Sequence, residues 1–184
     1  MVIFYTYLEM YLDDLNKSVC LGEFEKHFKT AHQTIKKHLE PFILAKVLIE
    51  EKKERFLFYK LNLENPLTKE YLIICEKERL MNHLEKNTLT KRLYTELSQF
   101  FKDSKILLFG SSAENKEYSD IDLLIISKNK EIKPLLKKFQ ETYSVKIHAV
   151  QTLDKYLTKT FTQEIKKKHI IFNSHEYFME LLYK

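Results

Sequence analysis

Apolar positions in the first quarter of the chain recur at the spacing of amphipathic helices. Residues 3–17 place an apolar side chain every three or four positions, which predicts a first helix. Residues 21–28 repeat this spacing in a second helix, and Ile35 and Leu39 mark the buried face of a third. Pro41 removes a helical hydrogen bond and is expected to kink or end the third helix. Three short helices in sequence are therefore predicted.

A β-hairpin and two longer helices are expected next. The apolar runs 47–49 and 56–59 have the composition of strands, and the charged residues 50–55 between them predict the tip of a hairpin. Residues 68–86 and 88–102 then show helical spacing. These two helices are interpreted as a connector to the second half of the chain.

The second half of the chain alternates short apolar runs with polar loops. Residues 106–109 are apolar and end abruptly at Gly110, which indicates a buried strand that runs into a loop. Further strands are predicted at 121–126 and 145–150, with a helix at 132–143 between them. The remaining segments predict two helices, 154–169 and 175–182, around the apolar run 170–172. The order β, loop, β, α, β indicates a small mixed sheet with flanking helices.

These patterns predict an α+β protein in three parts. The parts are an N-terminal domain of residues 1–65, a helical connector of residues 66–102 and a C-terminal sheet domain of residues 103–184. Helix, helix, helix and hairpin resemble a winged helix-turn-helix, and the segment from Phe58 to Leu67 is similar to the exit from the wing in prokaryotic regulators.

Composition and charge narrow the class of protein only slightly. The 184 residues are 44% hydrophobic, and no apolar stretch approaches the roughly 20 residues of a membrane helix. The N-terminus lacks a basic flank before its apolar residues, so the protein is expected in the cytoplasm. A net charge of +5 permits a polyanionic partner without requiring one. Cys20 and Cys75 lack the spacing of a zinc site and are interpreted as buried thiols.

Gly110 stands in the most informative motif, because the chain has only two glycines. The segment Leu108-Phe109-Gly110-Ser111-Ser112-Ala113 is followed by Ser119-Asp120-Ile121-Asp122-Leu123-Leu124-Ile125. This combination resembles the signature of the DNA polymerase beta nucleotidyltransferase superfamily, and most closely its minimal nucleotidyltransferases. The resemblance implies a Gly-Ser turn at the end of one strand and a pair of metal-binding carboxylates on the next.

Strand geometry explains the spacing of the two aspartates. Asp120 and Asp122 are two residues apart, so their side chains leave one face of a strand while Ile121 enters the core. Two such carboxylates can hold Mg²⁺ or Mn²⁺ against the triphosphate of an NTP, for which the resemblance favours ATP. A glycine turn that opens a helical turn lets backbone amides approach the phosphates. The predicted nucleotide-binding residues are Gly110, Ser111, Ser112 and Ser119.

An ordinary structural explanation of these residues stays open. Ser119 and Asp120 could cap a turn at the entry of a strand, with Asp122 solvated at its edge. The loop after Ser111 is also shorter than is usual for the family and lacks its basic-glycine pair. His148 occupies the strand position at which the family carries a third carboxylate, and is the third candidate catalytic residue. Its imidazole could accept a proton, bind a transition metal, replace a lost carboxylate or only pack.

The winged-helix resemblance implies contacts between the N-terminal domain and duplex DNA. Its third helix would enter the major groove, and its hairpin would meet phosphates. The candidate contacts are His32, Gln33, Lys36, Lys37, Lys52, Lys53 and Arg55. Residues 1–64 hold ten Lys/Arg and ten Asp/Glu, so a protein-docking role stays open. Aromatic residues in the first helix, Phe4, Tyr5, Tyr7 and Tyr11, suggest a homodimer interface.

Two functions follow from these motifs. The first is an enzyme that moves a nucleoside monophosphate, with AMP favoured, from an NTP to a hydroxyl of a protein, nucleic acid or small molecule. The likeness to minimal nucleotidyltransferases makes a partner protein of a toxin–antitoxin pair one specific acceptor. The second is a DNA-binding regulator whose degenerate nucleotidyltransferase domain senses a nucleotide without turning it over, for which His148 is the argument.

Overall fold

The computed structural model describes residues 4–114 and 120–183. The chain divides into two compact units, Met1–Glu78 and Arg79–Lys184. The division lies inside the segment that the sequence predicts as a helical connector. Both units combine helices with a small sheet, which agrees with the predicted α+β class. Within the described ranges, no helix is long and apolar enough to cross a membrane.

The N-terminal unit consists of helices around a small antiparallel sheet. Its elements are a 3₁₀ helix (Tyr5–Tyr11), β1 (Ser18–Cys20), α1 (Leu21–Phe28), α2 (His32–Leu44), β2 (Leu48–Lys53), β3 (Phe56–Leu61) and the first part of α3 (Pro66–Lys86). The strand order is β1-β3-β2, with both pairs antiparallel. At the centre of this unit the buried Tyr11 hydroxyl donates a hydrogen bond to the Tyr59 carbonyl oxygen at 2.9 Å. Burial raises the pKa of that hydroxyl well above its ordinary value.

The first predicted helix, residues 3–17, is largely wrong. The described residues form only a 3₁₀ helix to Tyr11, after which the chain turns at Asp14. The Asp14 carboxylate accepts the Asn16 N–H at 3.0 Å and so replaces a helical hydrogen bond. β1, which the sequence pattern did not predict, follows four residues after Asp14. Tyr7 and Tyr11 are buried in the unit, so these aromatic rings fill its core, and a homodimer interface stays a prediction.

Two further local features of this unit differ from expectation. Helix α2 continues past Pro41 to Leu44, because the lost hydrogen bond lies in the last turn and the proline ring is itself buried. The hairpin of β2 and β3 is confirmed, but its tip is shorter than the charged run 50–55. Strand β2 extends to Lys53, and Glu54 makes the turn with a positive φ of 53°.

The C-terminal unit is a mixed sheet with helices on both faces. After the end of α3 its elements are α4 (Thr88–Leu97), a 3₁₀ turn (Ser98–Phe100), β4 (Lys105–Phe109), a 3₁₀ turn (Gly110–Ala113), β5 (Asp120–Ile126), α5 (Ile132–Tyr143), β6 (Lys146–Thr152), a 3₁₀ turn (Asp154–Tyr156), α6 (Lys159–Lys167), β7 (His169–Ile171) and α7 (His175–Leu182). The strand order is β6-β5-β4-β7. Only β5 and β6 are parallel among the pairs of this described sheet.

The central strand β5 divides the core of this unit into two layers. Ile121, Leu123 and Ile125 face a layer that includes residues of α4 and α5, whereas Leu124 and Ile126 face α6 and α7. A strand that is buried on both faces appears in sequence as a continuous apolar run, which is why β5 was predictable.

Strand β7 was not predicted as a strand. It has three residues, and periodicity cannot distinguish so short an apolar run from a loop. Pairing with β4, in which Ile170 lies opposite Leu108, makes it a strand. The predicted helix 154–169 is correspondingly shorter, since α6 ends at Lys167 so that the chain can enter β7.

Candidate active site

The amino end of β5 carries two carboxylates on one face of the sheet. Asp120 and Asp122 alternate with Ile121, whose side chain is fully buried in the layer that α5 covers. The side chains of Asp120 and Asp122 keep 31% and 25% of their surface exposed. The next four residues of β5 are buried. The polar end of this strand therefore opens to solvent, as a site for a charged ligand requires.

The turn after β4 passes directly beside these carboxylates. Phe109 lies opposite Asp122 in the antiparallel register, and Gly110 follows with a positive φ of 70°. A Cβ atom at Gly110 would lie only 2.7 Å from Asp122 Oδ2. Glycine is required at position 110 for two reasons: the backbone has a positive φ, and the Asp122 carboxylate occupies the space that a side chain would fill. The two parts of the sequence motif, the glycine turn and the second aspartate, therefore lie side by side.

Ser111 and Ser112 have different surroundings in the turn. Ser112 is completely buried; its hydroxyl donates to the Phe109 carbonyl oxygen at 3.0 Å and accepts the Asp122 N–H at 3.3 Å. This hydroxyl fastens the turn to β5, a different role from the phosphate contact predicted for Ser112. Ser111 is exposed, so its side chain is accessible to a ligand. Predicted Ser119 lies outside the described residues.

Two basic side chains of the edge strand β6 face the carboxylates. Parallel pairing sets His148 opposite Asp122 and Lys146 opposite Asp120. His148 Nδ1 lies 3.4 Å from Asp122 Oδ1, and Lys146 Nζ lies 3.9 Å from Asp120 Oδ2. The His148 side chain is 49% exposed, so it is not a core residue.

The turn has a further support that sequence reasoning missed. The Lys168 carbonyl oxygen accepts the Gly110 N–H at 3.2 Å, and Lys168 Nζ lies 2.9 Å from Glu114 Oε1. Lys168 is far from Gly110 in sequence and precedes the unpredicted β7. No signal in the sequence could have found this residue, because the contact exists only once β7 pairs with β4.

The donor set fits a divalent cation that is shared with a nucleotide. No group of three or more His, Cys, Asp or Glu side chains arranged to hold a metal occurs among the described residues. Mg²⁺ is commonly held by one or two carboxylates together with substrate phosphates, so two aspartates are a sufficient protein contribution. Asp120 and Asp122 have the hard oxygen atoms that this ion prefers.

The candidate DNA contacts of α2 lie on an exposed surface of the N-terminal unit. Gln33, Lys36 and Lys37 are exposed, at positions that share one side of the helix. His32, the first residue of α2, is also exposed, and its Nδ1 lies 3.2 Å from Glu25 Oε1. One of the four predicted helix contacts is thus already close to an acidic side chain.

The candidate DNA contacts in the hairpin are exposed as well, but two of them lie close to other side chains of the same hairpin. Lys53 Nζ lies 3.4 Å from Glu51 Oε2, and the Arg55 guanidinium lies 5.8 Å from the centre of the Phe56 ring. Lys52 is exposed in the same strand as Lys53. The hairpin therefore presents a mixture of charges, not a uniformly basic surface.

The sheet, the glycine turn and the paired aspartates agree with the protein family that the C-terminal part of the chain resembles. Residues 90–180, just under half of the chain, match the family model described as nucleotidyltransferase domain. This match supports the nucleotidyltransferase superfamily for the C-terminal part of the chain, and it begins in α4, earlier than the predicted boundary at 103. No curated protein matches the chain.

Proposed function

We propose that this protein is a metal-dependent nucleotidyltransferase that moves a nucleoside monophosphate from an NTP, specifically AMP from ATP, to a hydroxyl acceptor. One observation carries the proposal: Asp122 Oδ2 occupies the space beside Gly110 that any other residue would fill. The carboxylates and the backbone amides of the turn therefore face the same ligand. The match to a nucleotidyltransferase domain supports the same reaction class.

Each part of the site has a task in nucleotidyl transfer. The acceptor oxygen bonds to the α-phosphorus while the bond from that phosphorus to its bridging oxygen breaks, and pyrophosphate leaves. A divalent cation held by Asp120 and Asp122 would neutralise phosphate charge and align the reacting groups. The turn that begins at Gly110 binds phosphate oxygens through its N–H groups and the Ser111 hydroxyl.

His148 is the proposed base of the reaction. Its Nδ1 faces Asp122 Oδ1 at 3.4 Å, which leaves Nε2 to accept the proton of the acceptor hydroxyl. A histidine at this position performs with an imidazole what the family resemblance implies for a third carboxylate. The acceptor is a hydroxyl of a protein, such as a toxin–antitoxin partner, of a nucleic acid or of a small molecule.

The direct test measures pyrophosphate release and label transfer from ATP labelled in its α-phosphate, with Mg²⁺ or Mn²⁺ present. Asp120→Asn and Asp122→Asn are each expected to lower the rate by about 10³-fold, because each removes a charged metal ligand. Asp103→Asn, at an exposed aspartate of the same unit, is the matched control and is expected to keep full activity. Equal activity in all three variants contradicts the proposal.

A nucleotide sensor is the second candidate function, and the contact of His148 with Asp122 favours it. The His148 imidazole, 3.4 Å from Asp122 Oδ1, would compete with a metal ion for one of the two proposed carboxylate ligands. A sensor binds ATP without releasing pyrophosphate, and its nucleotide affinity still falls in Asp122→Asn. Measuring ATP binding by calorimetry alongside pyrophosphate release separates the two functions.

For the N-terminal unit we propose a winged helix-turn-helix that contacts duplex DNA. The strand order β1-β3-β2, with α1 and α2 between β1 and the hairpin, supports this architecture. In it α2 is the helix that enters the major groove, and its exposed Gln33, Lys36 and Lys37 are the contacts. Fused to a nucleotide-binding unit, such a domain would bring the C-terminal site to DNA or to a docked protein.

A further inference from the structure

The C-terminal unit has a basic cavity at the opposite end of β5 from the aspartates. The cavity has a volume of about 600 Å³ and lies where β5 and β6 end and α5 begins. It is lined by Ser127, Lys128, Lys130, Lys133, Gln151 and Tyr156, among others. Asp122 and Ser127 are five residues apart, which is roughly 17 Å at the rise of a strand. The cavity is therefore separate from the candidate active site.

The charged residues that line this cavity are all lysines. Lys128, Lys130 and Lys133 are all exposed, and none of them forms an ion pair within the described parts of the chain. No aspartate or glutamate is among the described residues that line the cavity. The nearby Asp154 is directed elsewhere, 3.8 Å from Lys105 Nζ and hydrogen-bonded to the Tyr177 hydroxyl. Three lysines that have no ion-pair partner among the described residues and line one concave surface attract a ligand with several negative charges.

An aromatic ring lies exposed among these cations. Tyr156 lines the cavity with 65% of its surface exposed, although it is one of the large hydrophobic residues. Lys155 Nζ lies 4.9 Å from the centre of its ring. An exposed aromatic face beside several lysines is the combination that binds single-stranded nucleic acid, since a base stacks on the ring and phosphates meet the ammonium groups.

Hydrogen bonds hold the loop between β5 and α5, which carries Lys128 and Lys130, whereas Lys133 lies in the first turn of α5. The Gln151 side-chain amide donates to the carbonyl oxygens of Ser127 and Asn129, at 3.3 and 2.6 Å. The Ser127 hydroxyl accepts the Asn129 N–H at 3.0 Å. The loop between β5 and α5 is thereby tied to the end of β6. A preorganised loop loses little conformational entropy when a ligand binds.

We propose that this cavity binds a single-stranded nucleic acid, with one base stacked on Tyr156 and consecutive phosphates at Lys128, Lys130 and Lys133. The assignment is independent of the proposed nucleotidyl transfer, because neither a metal nor the aspartates take part. It also differs from the proposed duplex contacts of the N-terminal unit in both place and ligand. Failure of one proposal leaves the others intact.

The test measures binding of a fluorescein-labelled 12-nucleotide single-stranded RNA to the full chain, by anisotropy, with EDTA present to remove metal-dependent nucleotide binding. The triple variant Lys128→Ala, Lys130→Ala, Lys133→Ala is expected to lower the slope of log affinity against log salt by about two, at about 0.7 per phosphate. Tyr156→Ala is expected to weaken binding by about tenfold, and Tyr156→Phe to retain affinity because the ring remains.

A second triple variant controls for charge alone. Lys91→Ala, Lys102→Ala, Lys138→Ala removes the same charge from exposed positions of this unit that do not line the cavity. An equal loss in this control overturns the proposal, since binding would then be non-specific. The proposal also fails if Tyr156→Ala leaves affinity unchanged, or if free UMP competes as well as the oligonucleotide at equal concentration.

Discussion

Strand β2 of the N-terminal unit and strand β5 of the C-terminal unit both carry acidic residues, but the two strands surround them differently. Glu51 in β2 lies 3.4 Å from Lys53 Nζ and 3.8 Å from Lys60 Nζ, on a strand that is mostly exposed. Asp122 in β5 stands at the open end of a buried strand beside the turn at Gly110. Acidic residues therefore occur in two environments here, an exposed strand and the open end of a buried strand.

The difference shows how a site can be separated from an ordinary charged surface. Opposite charges in β2 neutralise one another, and exposed ion pairs of this kind contribute little to stability. In β5 the carboxylates also have nearby basic side chains, Lys146 and His148 of β6, but they interrupt an apolar strand and lie beside the turn at Gly110. Binding of a ligand is the explanation that we propose for the placement of these aspartates, and three sets of variants test this contrast between the units.

The largest effect on the free energy of unfolding is expected from an ionisable side chain that the C-terminal unit buries. The N-terminal unit buries the Tyr11 hydroxyl, which donates a hydrogen bond, whereas the C-terminal unit buries His83 with 2% exposed. His83 Nε2 has no hydrogen-bond partner among the described residues. Burial, with smaller contributions from Arg79 and Lys86, lowers the pKa of His83 from 6.5 to about 4.

This lowered pKa makes stability depend on pH in a definite direction. Between pH 6.5 and about 4 the unfolded chain binds a proton at His83 that the folded protein does not, so the free energy of unfolding falls as the pH falls. The loss is about 3 kcal/mol over this window and does not grow below it. Urea unfolding at several pH values is expected to show a much flatter dependence in His83→Leu and His83→Gln. Unchanged slopes in both variants would exclude His83 as the cause.

The two glycines give the next effect, one from each unit. Gly110→Ala places a side chain at a φ of 70° and within 2.7 Å of Asp122 Oδ2. We expect this variant to lose about 2 kcal/mol of unfolding free energy and to bind ATP more weakly, since the carboxylate must move. Thermal unfolding and calorimetric ATP binding measure the two consequences.

Gly22→Ala is the matched control in the N-terminal unit. Gly22 lies in the first turn of α1, and a Cβ atom there would meet only Cys20 Sγ, at 4.0 Å. Alanine is a better helix former than glycine, so this variant is expected to gain about 0.5 kcal/mol. A loss of stability in Gly22→Ala, or none in Gly110→Ala, would remove the contrast between the two glycines.

The smallest effect concerns the exposed face of α2. Lys36→Ala and Lys37→Ala should each lower the slope of log affinity against log salt for duplex DNA by about one, because each removes one phosphate contact. Glu40→Ala, also exposed on α2, should not lower this slope. Fluorescence anisotropy with a labelled duplex measures all three slopes, and identical slopes for wild type and both lysine variants would remove α2 from the interface.

Most elements of the fold followed from local pattern. The continuous apolar run of β5 and the periodicity of α5 and α7 were predictable because burial on one or both faces leaves a direct trace in sequence. Strands β1 and β7 left none, since three residues are too few to show a period. The predicted helix 3–17 was wrong because the Asp14 side chain accepts a backbone hydrogen bond in place of a helical carbonyl. The spacing of apolar residues carries no information about this bond.

The candidate site divides in the same way. The spacing of Asp120 and Asp122 predicted their shared face, and the scarcity of glycine drew attention to Gly110. The burial of Ser112 and the support from Lys168 could not be predicted, because each depends on contacts between different strands. The exposed position of His148 opposite Asp122 likewise needed the parallel register of β5 and β6.

Local pattern was enough to predict which residues alternate toward a core and where a buried strand meets polar side chains, since the period of a strand is a property of the backbone. It could not predict which strand ends lie together: the turn at Gly110 against Asp122 at one end of β5, and the lysines around Tyr156 at the other. Strand pairing sets these distances through contacts between residues that are remote in the chain, and such contacts leave no local pattern to read.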